Sequence, residues 1–470
     1  MGHARTRIAI VGVLGLATVF GLTRADHRVS ATADAAPTPA ASAIANSPIQ
    51  HVVVVIEENR TFDQVLGHLC VDEGNRCEGT TTGKKSTGEV ITLVPEPDIR
   101  TDVNHGHENQ LIGMHGGLMD RFDLVSGCKG KNRPGCLAQM IPGNPNSAQL
   151  PNIWRYADTY AIADHTFEPY TSSSWVAHLS IAAGTRDFWH GNNPDPSPFH
   201  TPGKGWGCNS FKDAQFDVNQ STVDLRPSCI PDANGQGPYR GPTAPHVATI
   251  FDRLDAAAKS WKIYVANGDG SPWAICPSFA SCFNSTQHSH VVKDTQLLPD
   301  AANGTLPNFS FVIPKGVNSM HPKFSAQQAD NWLGSVIDPL MRGPEANSTA
   351  VFVFWDDCGC LYDHVNPLQY NSNWGPRSPL LIISPYAKPR YVNTTPTTWV
   401  GILAYAEHLF GMAPLAEMDT LAYNDPTGGA WYADAFNYAQ TPTQPPALAH
   451  TPIPMWERKQ IASQPQVEWS

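Results

Sequence analysis

Charge is scarce in this chain. Only 16% of its 470 residues are Asp, Glu, Lys or Arg, against about 25% in ordinary globular domains. Positive charge is the scarcer sign: 31 Lys and Arg stand against 42 Asp and Glu, a net charge of −11. Basic runs are missing, which argues against nucleic acid as a partner, because phosphate backbones are held by Lys and Arg. Long apolar runs are missing too. The stretch Ile8–Leu22 is shorter than the roughly 20 residues a membrane helix needs. No Gly-x-Ser-x-Gly elbow occurs, which disfavours a serine esterase of the α/β-hydrolase type. The glycine stretch Gly79–Lys84 is one residue short of a nucleotide-binding P-loop. No internal repeat is visible.

What is abundant points to an ordered, loop-rich protein. There are 41 Pro and 37 Gly, yet 41% of residues are hydrophobic and 13 are Trp. That is too much apolar material for disorder and too many turn residues for a helical bundle. Arg5 and Arg7 precede the apolar stretch, and Ala31-Thr32-Ala33 supplies a small-residue cleavage site. Residues 1–33 therefore read as a signal peptide, with an uncleaved anchor as the alternative. Its removal takes away four Arg and one Asp, leaving a more acidic chain without stable membrane insertion and poorly suited to anionic lipid surfaces.

A secreted or periplasmic setting lets the ten cysteines be read as disulfides. They fall in neighbouring pairs: Cys70/Cys77, Cys128/Cys136, Cys208/Cys229, Cys276/Cys282 and Cys358/Cys360. Closure in that order is the simplest connectivity, and zinc is the alternative. Residues 34–48 form a flexible Ala/Pro/Ser linker, 49–439 one catalytic domain, and 440–470 a Pro-rich tail. Within the domain, about 188–245 is dense in Gly, Pro, Asn and Asp and reads as a loop-rich insertion over one rim.

Continuous β-branched runs are expected to form strands buried on both faces, as in parallel sheets. They occur at 51–56, 350–355 and 380–384, with two further strands at 262–266 and 309–314. Helical patterns fall at 149–163, 247–259, 325–341 and 399–410. The alternation predicts an α/β fold with a largely parallel central sheet flanked by helices. Ligands in such folds gather beyond the carboxyl ends of strands. Two strands end there in acids: Glu57-Glu58-Asn59-Arg60-Thr61-Phe62-Asp63, and Asp356-Asp357 leading to Tyr362-Asp363-His364-Val365. Carboxylates and an amide oxygen collected at one end suit a divalent metal; exposed loop acids without a shared target are the alternative.

These two stretches resemble the signatures of a secreted phosphoesterase family that includes bacterial phospholipases C and acid phosphatases. Asp102-Val103-Asn104-His105 is similar to its D-x-x-H element, and Tyr156–Asp164 to the helix before its nucleophile loop. His321-Pro322 resembles its histidine-proline element, and Gly375–Pro385 its third strand. The matches run in the family's order from His51 to about Phe436. The resemblance implies an alkaline-phosphatase-like core and hydrolysis of phosphate mono- or diesters through a phosphoserine intermediate. It also implies one or more divalent ions (Ca, Mg, Mn or Zn) held by Glu58, Asn59, Ser174, Asp356 and Asp357.

The resemblance further implies Ser174 as the nucleophile, at the family's spacing of four residues before a basic residue and Leu, here His178-Leu179; Ser172 and Ser173 are neighbours within one register error. A serine hydroxyl needs a metal or base to attack at neutral pH. His105, His321 and His364 are the histidines placed by motif to bind phosphate or protonate the leaving alcohol, with His364 favoured beside the acidic pair. His107, His115, His165 and His178 read as structural.

Four positions depart from the family pattern. Val176-Ala177 replaces Pro-Asn, Asp357 replaces Glu, Met320 replaces an acid or histidine, and Gly359-Cys360 replaces Gly-Gly. Cys358 and Cys360 are expected to form a strained local disulfide, with a thiol pair as the alternative. The expected partner is a phosphate-ester substrate, soluble or with a phospholipid headgroup. A non-catalytic protein that binds metal or phosphate on the same fold is the competing reading.

Overall fold

The β-branched run beginning at His51 forms β1 (His51–Glu57), every residue of which is buried. In the computed structural model, residues 44, 46–128, 136–141, 149–219, 221–266 and 268–463 are described. The expected signal peptide and nearly all of the linker lie outside them. Seven more strands complete the central sheet: β2 (Ala161–Ala163), β3 (Trp261–Val265), β4 (Val291–Val292), β5 (Phe309–Ile313), β6 (Thr349–Trp355), β7 (Leu380–Ile383) and β8 (Val392–Asn393). Their spatial order is β4-β3-β5-β1-β6-β7-β2-β8. β1 pairs in parallel with both β5 and β6 at the sheet's centre. β7 alone runs antiparallel to both of its neighbours. The largely parallel α/β architecture is therefore present, with one reversed strand inside it.

Helices flank the sheet: α1 (Pro151–Thr159), α2 (Ser174–Ala183), α3 (Ile250–Ala256), α4 (Ala326–Arg342), α5 (Gly401–Phe410) and α6 (Glu417–Tyr423). α3 starts at a capping box in which Thr249 and Asp252 exchange side-chain to backbone bonds, and Ser325 caps α4 through the amide of Gln328. Such caps satisfy the amides that the first turn leaves unpaired. α1 stops short of the expected Ala163, because the apolar residues Ala161–Ala163 pair as β2 between β7 and β8.

Two expectations need correction. The stretch read as a loop excursion contains a three-stranded antiparallel sheet made of Asp195–Pro196, Lys212–Asn219 and Thr222–Pro227. Cys358 and Cys360 are free thiols, whereas the other four pairs are bridged in the expected order. The turn between the two thiols explains this. Gly359 and Cys360 are both left-handed, at φ 55° and 50°, and the Cys360 amide points at Cys358 Sγ, 3.2 Å away. A Cβ on Gly359 would stand 2.7 Å from the Asn59 carbonyl oxygen, so the turn is pressed against the neighbouring chain. A bridge across a single residue has to meet a narrow range of distance and dihedral angle, and the bond is not formed here. The tail is pinned across α1 and α4: the Asn152 amide bonds the Ala449 backbone, and Asn331 does the same at Thr451.

α5 and α6 meet at two carboxyl groups. Asp419 accepts the Leu415 and Ala416 amides. Glu407 is buried against Asp419, and burial followed by the field of Asp419 pushes its pKa up to about 10. The folded chain thus keeps a proton that the unfolded chain releases near 4.5. Between those pH values the native state binds more protons, so stability falls as pH rises. Glu407→Gln removes this dependence. The stability gap between variant and parent should widen in the variant's favour by about 1–2 kcal/mol from pH 5 to pH 9, as read by urea unfolding at each pH.

Candidate active site

The register of β1 on β6 pairs Glu57 with Trp355, so the next residues, Glu58 and Asp356, leave the sheet side by side. The Asp356 amide bonds the Glu57 carbonyl at 3.0 Å, and the Glu58 amide bonds the Ser319 carbonyl at 2.8 Å. Asn59 then turns the chain sharply, with a left-handed φ of 56°, a conformation that costs a non-glycine residue free energy and that clusters at functional sites. Its amide donates to Asp356 Oδ1 at 3.0 Å. The buried guanidinium of Arg60 donates to the Asn59 carbonyl at 3.0 Å; burial lowers its pKa to about 9.

Ser174 enters from the opposite side, on the first turn of α2 after the extended residue Ser173. Its Oγ lies 3.1 Å from Glu58 Oε2 and 3.2 Å from Asp357 Oδ2, with Asn59 Nδ2 at 3.5 Å. One hydroxyl proton therefore faces two carboxylates. Of the three adjacent serines, Ser174 presents its hydroxyl to the acids. Glu58, Asn59, Ser174, Asp356 and Asp357, the expected ligand set, are thus gathered in one buried place. Burial and then the charge of Asp356 raise the Asp357 pKa, as like charges in low dielectric require.

His178, read from sequence as structural, belongs to this cluster. It stands one turn along α2 from Ser174, with Nε2 3.4 Å from Glu58 Oε1 and 3.7 Å from Asp356 Oδ2. Burial lowers its pKa, which favours the neutral imidazole that ligates metals. Its i, i+4 spacing from Ser174 was the signal that could have found it. Glu168 was also missed: it is buried next to Cys358, and burial followed by the Cys358 and Asp357 fields holds its pKa far above normal.

Three buried polar atoms here lack a hydrogen-bond partner: Asn59 Oδ1, His178 Nε2 and Asp356 Oδ2. Ligand atoms of Glu58, His178 and Asp356 all lie within 4.8 Å of one another. Unsatisfied buried oxygen and nitrogen donors facing a common point fit a divalent cation.

His105 and His321 form a second wall, with ring centroids 5.8 Å apart. Each bonds a carbonyl through Nδ1, His105 to Val103 at 2.8 Å and His321 to Pro322 at 2.6 Å. Burial opposes the His105 cation, but Asp357 and Asp102 outweigh it and its pKa is raised. Burial prevails at His321 and lowers its pKa to about 4.

His364 is placed elsewhere. Its Nδ1 meets Asp63 Oδ2 at 2.5 Å, in a network where Arg377 bridges Asp63 at 3.2 Å and Asp363 at 2.8 Å. A cavity of about 400 Å³ opens over His105 and Ser173. A larger one of about 890 Å³, lined by Tyr170, Phe188 and Leu421, contains none of the acids or histidines of the site.

The Phosphoesterase family model matches residues 49–413. The chain belongs to this family. A non-hemolytic phospholipase C of Burkholderia pseudomallei is 22% identical over 440 residues, covering 77% of this chain and 55% of that protein. Phospholipase C A of Mycobacterium tuberculosis is 21% identical over 462 residues, covering 86% of this chain and 80% of the relative. The chain thus spans about half the length of the first and most of the second. Among solved structures, a protein in the alkaline phosphatase superfamily from Vibrio parahaemolyticus aligns with a TM-score of 0.37 and 12% identity, covering 80% of this chain and 71% of that one.

If His178 is part of the Phosphoesterase cation site, His178→Ala should weaken divalent-ion binding by about tenfold or more, measured by calorimetry with Mn or Zn. Unchanged affinity would return His178 to a packing role.

Proposed function

We propose that this chain is a metal-dependent hydrolase of phosphate esters, working through a phosphoserine at Ser174 outside the reducing cytoplasm. Family membership supports hydrolysis of phosphoric ester bonds as the class of reaction. The observation that carries the mechanism is the Ser174 hydroxyl at 3.1 and 3.2 Å from two buried carboxylates, beside three orphaned ligand atoms. Four disulfides support an oxidising compartment. Among the described residues, no helix is long and apolar enough to cross a membrane.

Glu58, Asn59, Ser174, His178, Asp356 and Asp357 are the residues that would hold the cation. When bound, a divalent ion there supplies Lewis acidity for phosphoryl oxygens and lowers the pKa of a coordinated hydroxyl. The chain's own groups do the rest. Ser174 passes its proton toward Glu58 or Asp357 and its Oγ attacks phosphorus, breaking the ester bond. The departing alkoxide takes a proton from a neighbouring donor, for which His105 is the group whose cation the local acids favour. Water then attacks the phosphoserine, restoring the hydroxyl and releasing phosphate, or a phosphomonoester if the substrate was a diester. The start of α2 also favours a phosphoryl group at Ser174, because helix N-termini attract anions.

Purified protein supplied with Mg, Mn, Ca or Zn should hydrolyse p-nitrophenyl phosphate, its phosphorylcholine ester or phosphatidylcholine. Ser174→Ala should lower kcat by about 10³-fold or more, and chelation should abolish turnover reversibly. Full activity in Ser174→Ala would move the nucleophile elsewhere. Cation binding without hydrolysis of any of these esters would favour the non-catalytic reading.

A further inference from the structure

We infer that the substrate's leaving group is a neutral polyhydroxylated alcohol, of the sugar or polyol class, held in a trough that runs outward from His105 and Ser173. The inference rests on the phosphoesterase reading and specifies the ester it acts on. The cavity of about 400 Å³ over His105 and Ser173 and a neighbouring one of about 440 Å³ share Asn104, Asn192, Asn193 and Asp195 as walls. The two therefore lie side by side across those residues and together form the trough, with Glu108, Asp213 and Gln215 lining the second.

The chemistry of the walls selects among esters. Amides and carboxylates make up most of the lining; Val103 and Leu225 are its apolar side chains, His105 at the inner end is its one ring, and it includes no Lys, Arg, Trp, Tyr or Phe. A diacylglycerol would find little apolar surface to bury against. A second phosphate would meet carboxylates rather than cations. A quaternary ammonium would lack the Trp, Tyr or Phe faces that recognise it, and would meet at the inner end an imidazole whose own cation is favoured. Two of the acids are already paired, Asp102 with Lys323 at 2.8 Å and Asp213 with Arg240 at 2.7 Å, which reduces their attraction for a cationic headgroup. What remains is a surface of mixed donors and acceptors, and hydroxyl groups are both.

The trough is also preorganised. Asn192 accepts the His107 amide at 3.1 Å and donates to Gln215 Oε1 at 2.8 Å and Glu108 Oε2 at 3.1 Å. Asn193 Oδ1 accepts the Trp175 amide at 2.9 Å, so the amide wall is tied to the residue next to Ser174. Sites that hydrogen-bond hydroxyl groups through fixed partners discriminate strongly against ligands lacking them.

The test compares kcat/KM of the metal-supplied full chain on glucose 6-phosphate, sorbitol 6-phosphate, phosphocholine, mixed-micelle phosphatidylcholine and p-nitrophenyl phosphate. The sugar and polyol esters should exceed both choline compounds by about tenfold or more. Gln215→Leu and, separately, the exposed Asn104→Ala should each lower the ratio of sugar phosphate to p-nitrophenyl phosphate by about tenfold. A preference for either choline compound, or ratios unchanged in both variants, overturns the inference while leaving the phosphoesterase reading intact. Failure to hydrolyse any ester overturns both.

Discussion

Parallel pairing of β1 with β6 is the constraint on which the site depends. Both strands are buried along their whole length, and a one-residue slip would shift every side chain to the opposite face. The register is therefore fixed by packing, and with it the emergence of Glu58 beside Asp356. Packing alone gives no reason for acids at that point. Three carboxylates around one hydroxyl repel each other in a medium of low dielectric, Asp357 is driven toward protonation, and Asn59 holds a left-handed turn. The apolar burial of the sheet centre offsets the cost of this local arrangement.

A second acidic cluster in the same molecule shows what the chain does when acids serve structure. Asp63 and Asp363 are also buried, yet Arg377 lies between them and donates further to the carbonyls of Glu78 and Asp164. The guanidinium stays charged there, its pKa raised by the two acids despite burial. The reversed direction of β7 makes this possible, because the residues just before Leu380, Arg377 included, arrive at the same end of the sheet as the acids. At Ser174 the group beside Glu58 and Asp356 is His178, an imidazole whose pKa burial lowers. One cluster carries its own cation; the other has no Lys or Arg paired with its acids among the described contacts.

The sequence displayed those features that follow from local chemistry. The β-branched runs announced the central strands, and the ordered motifs named Ser174 and the four residues Glu58, Asn59, Asp356 and Asp357 gathered with it. Strand direction is not written in a hydrophobic run, so the reversal of β7 was invisible. His178 was hidden because α2 is buried on every face, leaving no amphipathic pattern to say which side meets the acids. His364 misled by proximity: it follows the acidic pair closely in sequence, but the turn through Gly359 and Cys360 carries it to Asp63. The same turn carries the two thiols, which are free. In the segment from Phe188 to Pro245, Gly and Pro dominated the composition and masked the hairpin of Lys212–Asn219 and Thr222–Pro227.

That hairpin gives the site a division of labour. Ser174, the acids and His178 come from the sheet ends and α2, which the sheet register holds in place. The trough comes from the Asp102–Asn109 loop and from the insertion, which contributes Asn192, Asn193, Asp195, Asp213 and Gln215. The hydrogen bond from the Trp175 amide to Asn193 links the two halves at the residue following the nucleophile. Substitutions in the insertion can therefore alter which alcohol is accepted without disturbing the packed strands that position the phosphoryl chemistry. The phosphorus-binding half has little such freedom, because each of its residues is fixed by the burial and register of β1, β6 and α2.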